Sequence, residues 1–287
     1  MPGGDLHILT LDNLTFEVDA SIGGRVTAFR IDGKNLLSEV LADPDNFGST
    51  FWTSPQLQWG WPPVVEIDGA PYEARREGAT IVMMGPVCSL LGVRIEKRFT
   101  ALASQRAVEI EYRIHNVKEV PDGGAVAVGV PITVAPWEVT RLHPHGLTFF
   151  PTGEGVYPPS NLPVVDAGGL TWFAYDPRHI AGHPKLFADA SDGWIAHVDQ
   201  RTLFVKTFPP VPRARQAPGE AVVEIYAHPA LTYMEIEQQG PLLEIPASAA
   251  SAWSVRWYLR RLPEAVEVVV GSQSLAAFVA AVIAGDA

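Results

Sequence analysis

Residues 108–115 alternate without a break, Val108, Ile110, Tyr112 and Ile114 against Glu109, Glu111, Arg113 and His115. Successive strand side chains point to opposite faces, so this run is a β-strand with one buried face. Shorter versions recur almost to the end of the chain. Leu14, Phe16 and Val18 alternate with polar neighbours, residues 25–31 run into Asp32-Gly33, and Ile95 opens a further run. Asp-Gly between two such runs is a hairpin signal, because a two-residue turn needs positions that tolerate positive φ. Further strands are predicted over 125–134, 194–198, 203–208, 222–227, 233–238 and 252–260. The 25 glycines and 25 prolines are scattered between these runs, as turns joining many strands, and the Pro-rich stretch 209–219 reads as a surface loop. One helix is expected over the apolar run that begins at Leu275, with Ser274 as its cap and Gly285 at its end. Apolar nearly all round, it must pack on the body or on a second copy, which makes a homodimer one expectation. The predicted fold is therefore all-β, a large antiparallel β-sandwich with a short C-terminal helix. With no repeat and no shift in composition, a single domain over 1–287 is the economical reading.

The charge balance narrows the partners. Thirty-two acidic against 21 basic residues give a net charge of −11, which argues against nucleic acid, whose phosphates need a basic surface. The single cysteine, Cys88, lies in an apolar stretch and reads as a buried core thiol. The N-terminal residues lack the basic start and apolar run of a secretory signal, and the C-terminal apolar run is too short to span a bilayer. A cytoplasmic protein with no membrane partner is expected. Gly23-Gly24 is a turn rather than a phosphate loop, since no helix follows it.

Residues 51–63 read Phe-Trp-Thr-Ser-Pro-Gln-Leu-Gln-Trp-Gly-Trp-Pro-Pro and hold three of the eight tryptophans. Three prolines and a glycine argue against a long helix, and the periodicity is poor for a strand, so a rigid loop is expected. Flat indole faces at Trp52, Trp59 and Trp61 beside the amide of Gln56 suit a polar but uncharged ligand such as a sugar. Tryptophans plugging the end of a sandwich are the plain alternative.

The strand from Tyr233 carries the best acid/base candidates. Period-two alternation puts Tyr233, Glu235, Glu237 and Gln239 on one face and Met234, Ile236 and Gln238 on the other. Two close carboxylates push one pKa upward, which suits proton transfer near neutral pH; a solvated outer face is the commoner reading of Glu-x-Glu on a strand, and the neighbouring Tyr233 and Gln239 favour the functional one. His143 and His145 follow a strand end and are candidate general acids. Their spacing, like that of His179 and His183, is compatible with metal binding, yet no Asp or Cys completes a set, so no metal is expected. Lys206 shares a face with Phe204 and Phe208, either as an edge-strand charge or as a pocket cation. Glu138 and Thr140 share a strand face with Arg141 beside them. They are a polar set for a ligand or, more simply, a Glu138–Arg141 ion pair.

Residues 20–37, Ala-Ser-Ile-Gly-Gly-Arg-Val-Thr-Ala-Phe-Arg-Ile-Asp-Gly-Lys-Asn-Leu-Leu, resemble the opening hairpin of the aldose 1-epimerases, or galactose mutarotases. Residues 108–116 are similar to the strand that follows in that superfamily, and residues 236–239 resemble the late strand that bears its general base. The likeness extends over nearly the whole chain and implies a galactose mutarotase-like supersandwich with a sugar-binding concave face. It implies Glu237 as the base that takes the C1 hydroxyl proton while an acid protonates the ring oxygen. The ring then opens, the C1–C2 bond rotates, and closure gives the other anomer. On this reading Glu235 supports the base and His143 or His145 is the acid. Trp52, Gln56, Trp59 and Trp61 form the sugar platform, with Glu138, Arg141, Lys206, Tyr233 and Gln239 as further contacts. The partner is a small-molecule carbohydrate and no cofactor is required. The family's histidine-bearing segment corresponds to residues 136–141 here, which contain no histidine. The alternative is therefore a non-catalytic carbohydrate-binding protein on the same scaffold, and an interaction module pairing through its C-terminal helix is a third reading.

Overall fold

The 108–115 alternation lies in the strand Ala107–Asn116, where Val108, Ile110, Tyr112 and Ile114 are buried and the charged positions between them are only partly covered. The computed structural model describes residues 4–121 and 127–287, so the first two residues of the predicted strand 125–134 lie outside the described residues. The rest of that prediction is split, with Ala127–Gly129 a short strand paired with Glu119–Pro121 and residues 132–134 opening the long strand Ile132–Leu142.

Two antiparallel sheets pack face to face. The first runs, in hydrogen-bonded order, through Leu6–Leu11, Leu14–Asp19, Arg25–Ile31, Ser49–Ser54, Ile132–Leu142, Met234–Gln239, Val223–Ala227 and Lys185–Ala190. The second runs through Glu73–Glu77, Thr80–Cys88, Val93–Leu102, Ala107–Asn116, Ala250–Arg261, Thr202–Thr207 and Trp194–Asp199. The strand Leu147–Tyr157 joins them. Its first half pairs with Trp194–Asp199 and Leu170–Ala174, and beyond Thr152 its register shifts and it pairs with Lys185–Ala190. An apolar core that draws on both sheets, from Leu9 to Leu259, fills the space between them. Aromatic edges meet there: Phe16, Phe29 and Phe204 crowd the Trp257 ring at centroid distances of 5.6, 6.0 and 5.0 Å.

The Asp32-Gly33 hairpin forms as expected, with φ of 50° and 79° between paired Ile31 and Lys34. Gly23 is required on two counts. Its φ is +71°, and a Cβ there would lie 2.2 Å from the Asp68 carbonyl oxygen. Cys88 is buried.

Two local expectations change. Residues 51–54 are not loop but the last four residues of the strand Ser49–Ser54, all six of whose residues are buried. Covered on both faces, a central strand shows no polar alternation, and its sequence loses the period that would reveal it. The tail of the segment does turn away, through a 3-10 turn at Gln56–Gln58. The helix is Gln273–Ala284, and its cap is Ser272, whose hydroxyl accepts from the Leu275 amide, while Ser274 accepts from the Glu267 amide instead. Gly285 ends the helix at φ 86°. Of the two placements open to it, the helix takes the body. Leu275, Val279 and Val282 are fully buried on the outer face of the second sheet, against a cluster containing Phe149, Trp172, Leu203 and Val205. Among the described residues no helix is long and apolar enough to cross a membrane.

Candidate functional site

Five neighbouring strands of the first sheet turn one set of side chains away from the core. Register fixes the rows. Arg141, Glu235, Tyr226 and Lys185 lie side by side across four strands, and Thr50, Val139, Glu237 and Glu224 form the next row. Trp52, Trp137 and Gln239 form the third. Alternation sends the residues between them, Phe51, Glu138, Ile225 and Ile236, into the sandwich. Above the rows is a cavity of about 480 Å³, lined by Glu235 and Glu237, by Trp52, Trp61 and Trp137, and by Asn46, Gln56, His183, Lys185, Tyr226, His228 and Tyr233.

Its floor is charged and buried. Glu237 accepts a hydrogen bond from the Trp137 indole at 2.9 Å and lies 3.3 Å from the Lys185 ammonium. That ammonium also meets Glu224 at 2.5 Å, and Glu224 in turn accepts from Gln239 and from the Ala221 amide. Glu235 pairs with the Arg141 guanidinium at 2.9 Å. Three carboxylates thus share two cations. Burial, reinforced by the charge of Glu237, outweighs those cations and raises Glu235 to about 7 and Glu224 to about 8. Burial opposes the charge on Lys185, but Glu237 and Glu224 prevail and hold it above its ordinary range.

The raised Glu235 carboxyl has a consequence for folding. Between its ordinary 4.5 and about 7 the folded chain holds a proton that the unfolded chain has released, so this group's contribution to stability is lost as pH rises through that window. We expect the melting temperature of the wild type to fall more between pH 5 and pH 8 than that of Glu235→Gln. Calorimetric melts at both pH values check this, and parallel slopes would contradict the assignment.

The walls are aromatic on both sides. Trp52 meets Trp137, Trp59 and Trp61 edge to face at centroid distances of 5.2, 5.7 and 6.1 Å. The Arg141 guanidinium lies 5.4 Å from the Trp52 ring. Opposite, His228 stacks on Tyr233 at 4.7 Å, and His183 Nδ1 is 2.8 Å from the Tyr226 hydroxyl, whose pKa burial and Glu235 push up to about 12.

The cavity brings together Trp52, Gln56, Trp61, Tyr233, Glu235 and Glu237. Arg141 stands directly behind Glu235, Gln239 behind Glu224, and Trp59 packs against Trp52 and Trp137. Four sequence candidates are placed elsewhere. Glu138 and Lys206 form a fully buried ion pair at 2.7 Å on the inner face, because alternation turns Glu138 away from Arg141 and toward the core. The pair anticipated between Glu138 and Arg141 is replaced by Glu138–Lys206 and Arg141–Glu235. His143 and His145 stack on each other beyond the end of their strand, where His145 meets Asp199 at 3.2 Å, and neither lines the cavity. His179 lies beside Asp176 while His183 bonds Tyr226, so those two histidines face different partners. Among the described residues no group of three His, Cys, Asp or Glu side chains converges on a point that would hold a metal.

Sequence reasoning missed Trp137, His183, Lys185, Glu224, Tyr226 and His228. For Glu224 and Tyr226 a signal existed, since they are the polar members of an alternating predicted strand. What the sequence lacked was the register that sets this strand beside Glu235 and Glu237.

No family model matches the chain, and no curated protein matches it by sequence. Solved structures match it by fold. A galactose mutarotase related enzyme from Lactobacillus acidophilus aligns at 8% identity and TM-score 0.57, over 92% of this chain and 100% of its own. A galactose mutarotase-like protein from Lactobacillus casei aligns at 11% and 0.57, over 89% and 100%. A protein from Synechocystis sp. PCC 6803 aligns at 13% and 0.60, over 89% and 96%. At such identities the likeness is one of fold, and the fold is the galactose mutarotase-like sandwich.

Proposed function

We propose that this cavity binds a neutral sugar and interconverts its anomers by acid/base opening of the ring. The observation that carries the reading is the joint lining of one cavity by Glu235 and Glu237 with Trp52, Gln56 and Trp61. Indole faces cover the C–H surface of a pyranose, while amides and carboxylates pair with its hydroxyls. Both cations on the floor are already paired with carboxylates, so neither is left over to hold an anionic sugar, which favours a neutral one.

Glu237 is the base. The Trp137 N–H and the Lys185 ammonium fix its carboxylate and leave lone pairs for the C1 hydroxyl proton. The acid for the ring oxygen comes from the opposite wall, where His183 and the Tyr226 hydroxyl are hydrogen-bonded. Glu235, neutral for part of the time near pH 7, donates to or accepts from a sugar hydroxyl as needed. A second reading, sugar binding without catalysis, is favoured by the same Lys185 contact, since the ammonium and the Trp137 indole already engage both Glu237 oxygens.

Exchange NMR on glucose and galactose separates the two. Catalysis predicts faster anomer exchange with protein than in buffer, and a fall of about a hundredfold in kcat for His183→Ala. Binding measured by calorimetry with exchange at the buffer rate would select the second reading.

A further inference from the structure

Beside the first cavity lies a second, of about 410 Å³, and the two share Asn46 and Trp61. Trp61 is the partition. It remains 64% exposed although it stands edge to face against the Trp52 ring, so much of the indole is free for a ligand. Its place between two cavities, both of which it lines, gives this exposed indole two rings to serve.

The second cavity is built for the same chemistry as the first. Pro63 and Val65, the latter 62% exposed, give it an apolar wall. Asp45 and Asp68 give it acceptors. Asp68 is held rigidly, with Oδ1 accepting from the Thr50 hydroxyl at 2.5 Å and the Trp52 indole at 2.9 Å, and Oδ2 from Arg25 at 3.0 Å. The Trp52 indole that walls the first cavity is thus tied to a carboxylate that lines the second. Among the described residues the Asn46 carboxamide donates to Asp43, and no hydrogen bond to its oxygen is present, so that acceptor is open at the junction.

We propose that the binding site extends across Trp61 and takes a reducing oligosaccharide, with the reducing ring over Glu237 and the next ring in the cavity of Val65 and Asp68. This rests on the anomer-exchange reading for the first ring but makes its own demand. A second sugar ring must add affinity, and part of it must come through residues such as Val65 that line only the second cavity.

The test compares glucose and galactose with maltose and lactose in exchange NMR, using wild type and Val65→Arg. Val65 lines only the second cavity, and its exposed side chain can be replaced by an arginine that fills the space over Asp45 and Asp68. The expected result is a KM for at least one disaccharide about tenfold below that of its reducing monosaccharide in the wild type. In Val65→Arg that advantage disappears while the monosaccharide constants stay unchanged. Equal KM values for monosaccharides and disaccharides in the wild type would overturn the extension and leave the one-ring reading standing. So would a Val65→Arg variant that keeps the advantage. No exchange or binding with any of the four sugars would overturn both.

Discussion

Replacing Glu138 by alanine is expected to lower the unfolding free energy by about 3–5 kcal/mol, the cost of leaving a buried charge without its partner. Glu138 is completely buried between the sheets. One of its oxygens takes the Tyr112 hydroxyl at 2.5 Å, and the other takes the Lys206 ammonium at 2.7 Å, the Trp257 indole at 3.0 Å and the Gln238 amide. Removing the carboxylate strands the Tyr112, Trp257 and Gln238 donors at once and leaves Lys206 without its counter-ion. Burial already pulls Lys206 down to about 8 against the pull of Glu138, so without that partner the ammonium loses its main support. Its remaining contacts, the Thr140 hydroxyl at 2.6 Å and the Gln238 carbonyl oxygen at 2.8 Å, are neutral. Urea unfolding at constant m measures the loss directly. The double variant Glu138→Leu, Lys206→Met is expected to be milder than Glu138→Ala, because it removes both charges together. A Glu138→Ala midpoint equal to wild type would contradict the placement of this group in the core.

This network also bears on the site. Glu138 is flanked by Trp137, which lines the cavity, and by Val139, which packs with it, and Gln238 follows Glu237 on the neighbouring strand. The polar links between Glu138, Gln238 and Lys206 therefore tie the strands Ile132–Leu142 and Met234–Gln239, from behind, to each other and to Thr202–Thr207 of the second sheet.

The all-β fold was legible because Ala107–Asn116 and several other strands have one polar face, and the Asp32-Gly33 turn carries its own chemistry. Strands buried on both faces were harder to read. Ser49–Ser54 has six buried residues in a row, and its period is hidden by Trp52 and Thr50 on one side and Phe51 and Thr53 on the other. In the site, alternation alone put Tyr233, Glu235, Glu237 and Gln239 on a common face; the register agrees for the last three, and Tyr233 lines the same cavity. It could not reveal Lys185 or Glu224, which reach Glu237 only because the strands Lys185–Ala190 and Val223–Ala227 pair in a particular register. Lys206 and Glu138 had the right residue types for a ligand site and the wrong parity. Parity is a property of the sheet's two faces, and a polar residue on a doubly buried strand does not declare which face it occupies. His143 and His145 were drawn in by their chemistry, yet they lie past the end of the strand that carries Arg141 and Trp137.

The second large effect concerns Glu237. Glutamine is nearly isosteric with glutamate and can still accept from the Trp137 indole through its amide oxygen, so the cavity keeps its shape. What it loses is the capacity to take a proton. A general base contributes about 10²–10⁴-fold, and Glu237→Gln is expected to lower kcat for anomer exchange by that factor while KM moves only a few-fold. Lys185 keeps Glu224 as a partner at 2.5 Å, so loss of the Glu237 charge leaves no unpaired buried ammonium. Calorimetry on the variant should therefore still find sugar binding. The decisive measurement is two-dimensional exchange NMR between the α and β anomers of one reducing sugar, with wild type and Glu237→Gln at equal concentration. The account predicts exchange well above the buffer rate for the wild type and close to it for the variant. A wild type at the buffer rate, or a variant that matches an active wild type, would contradict it.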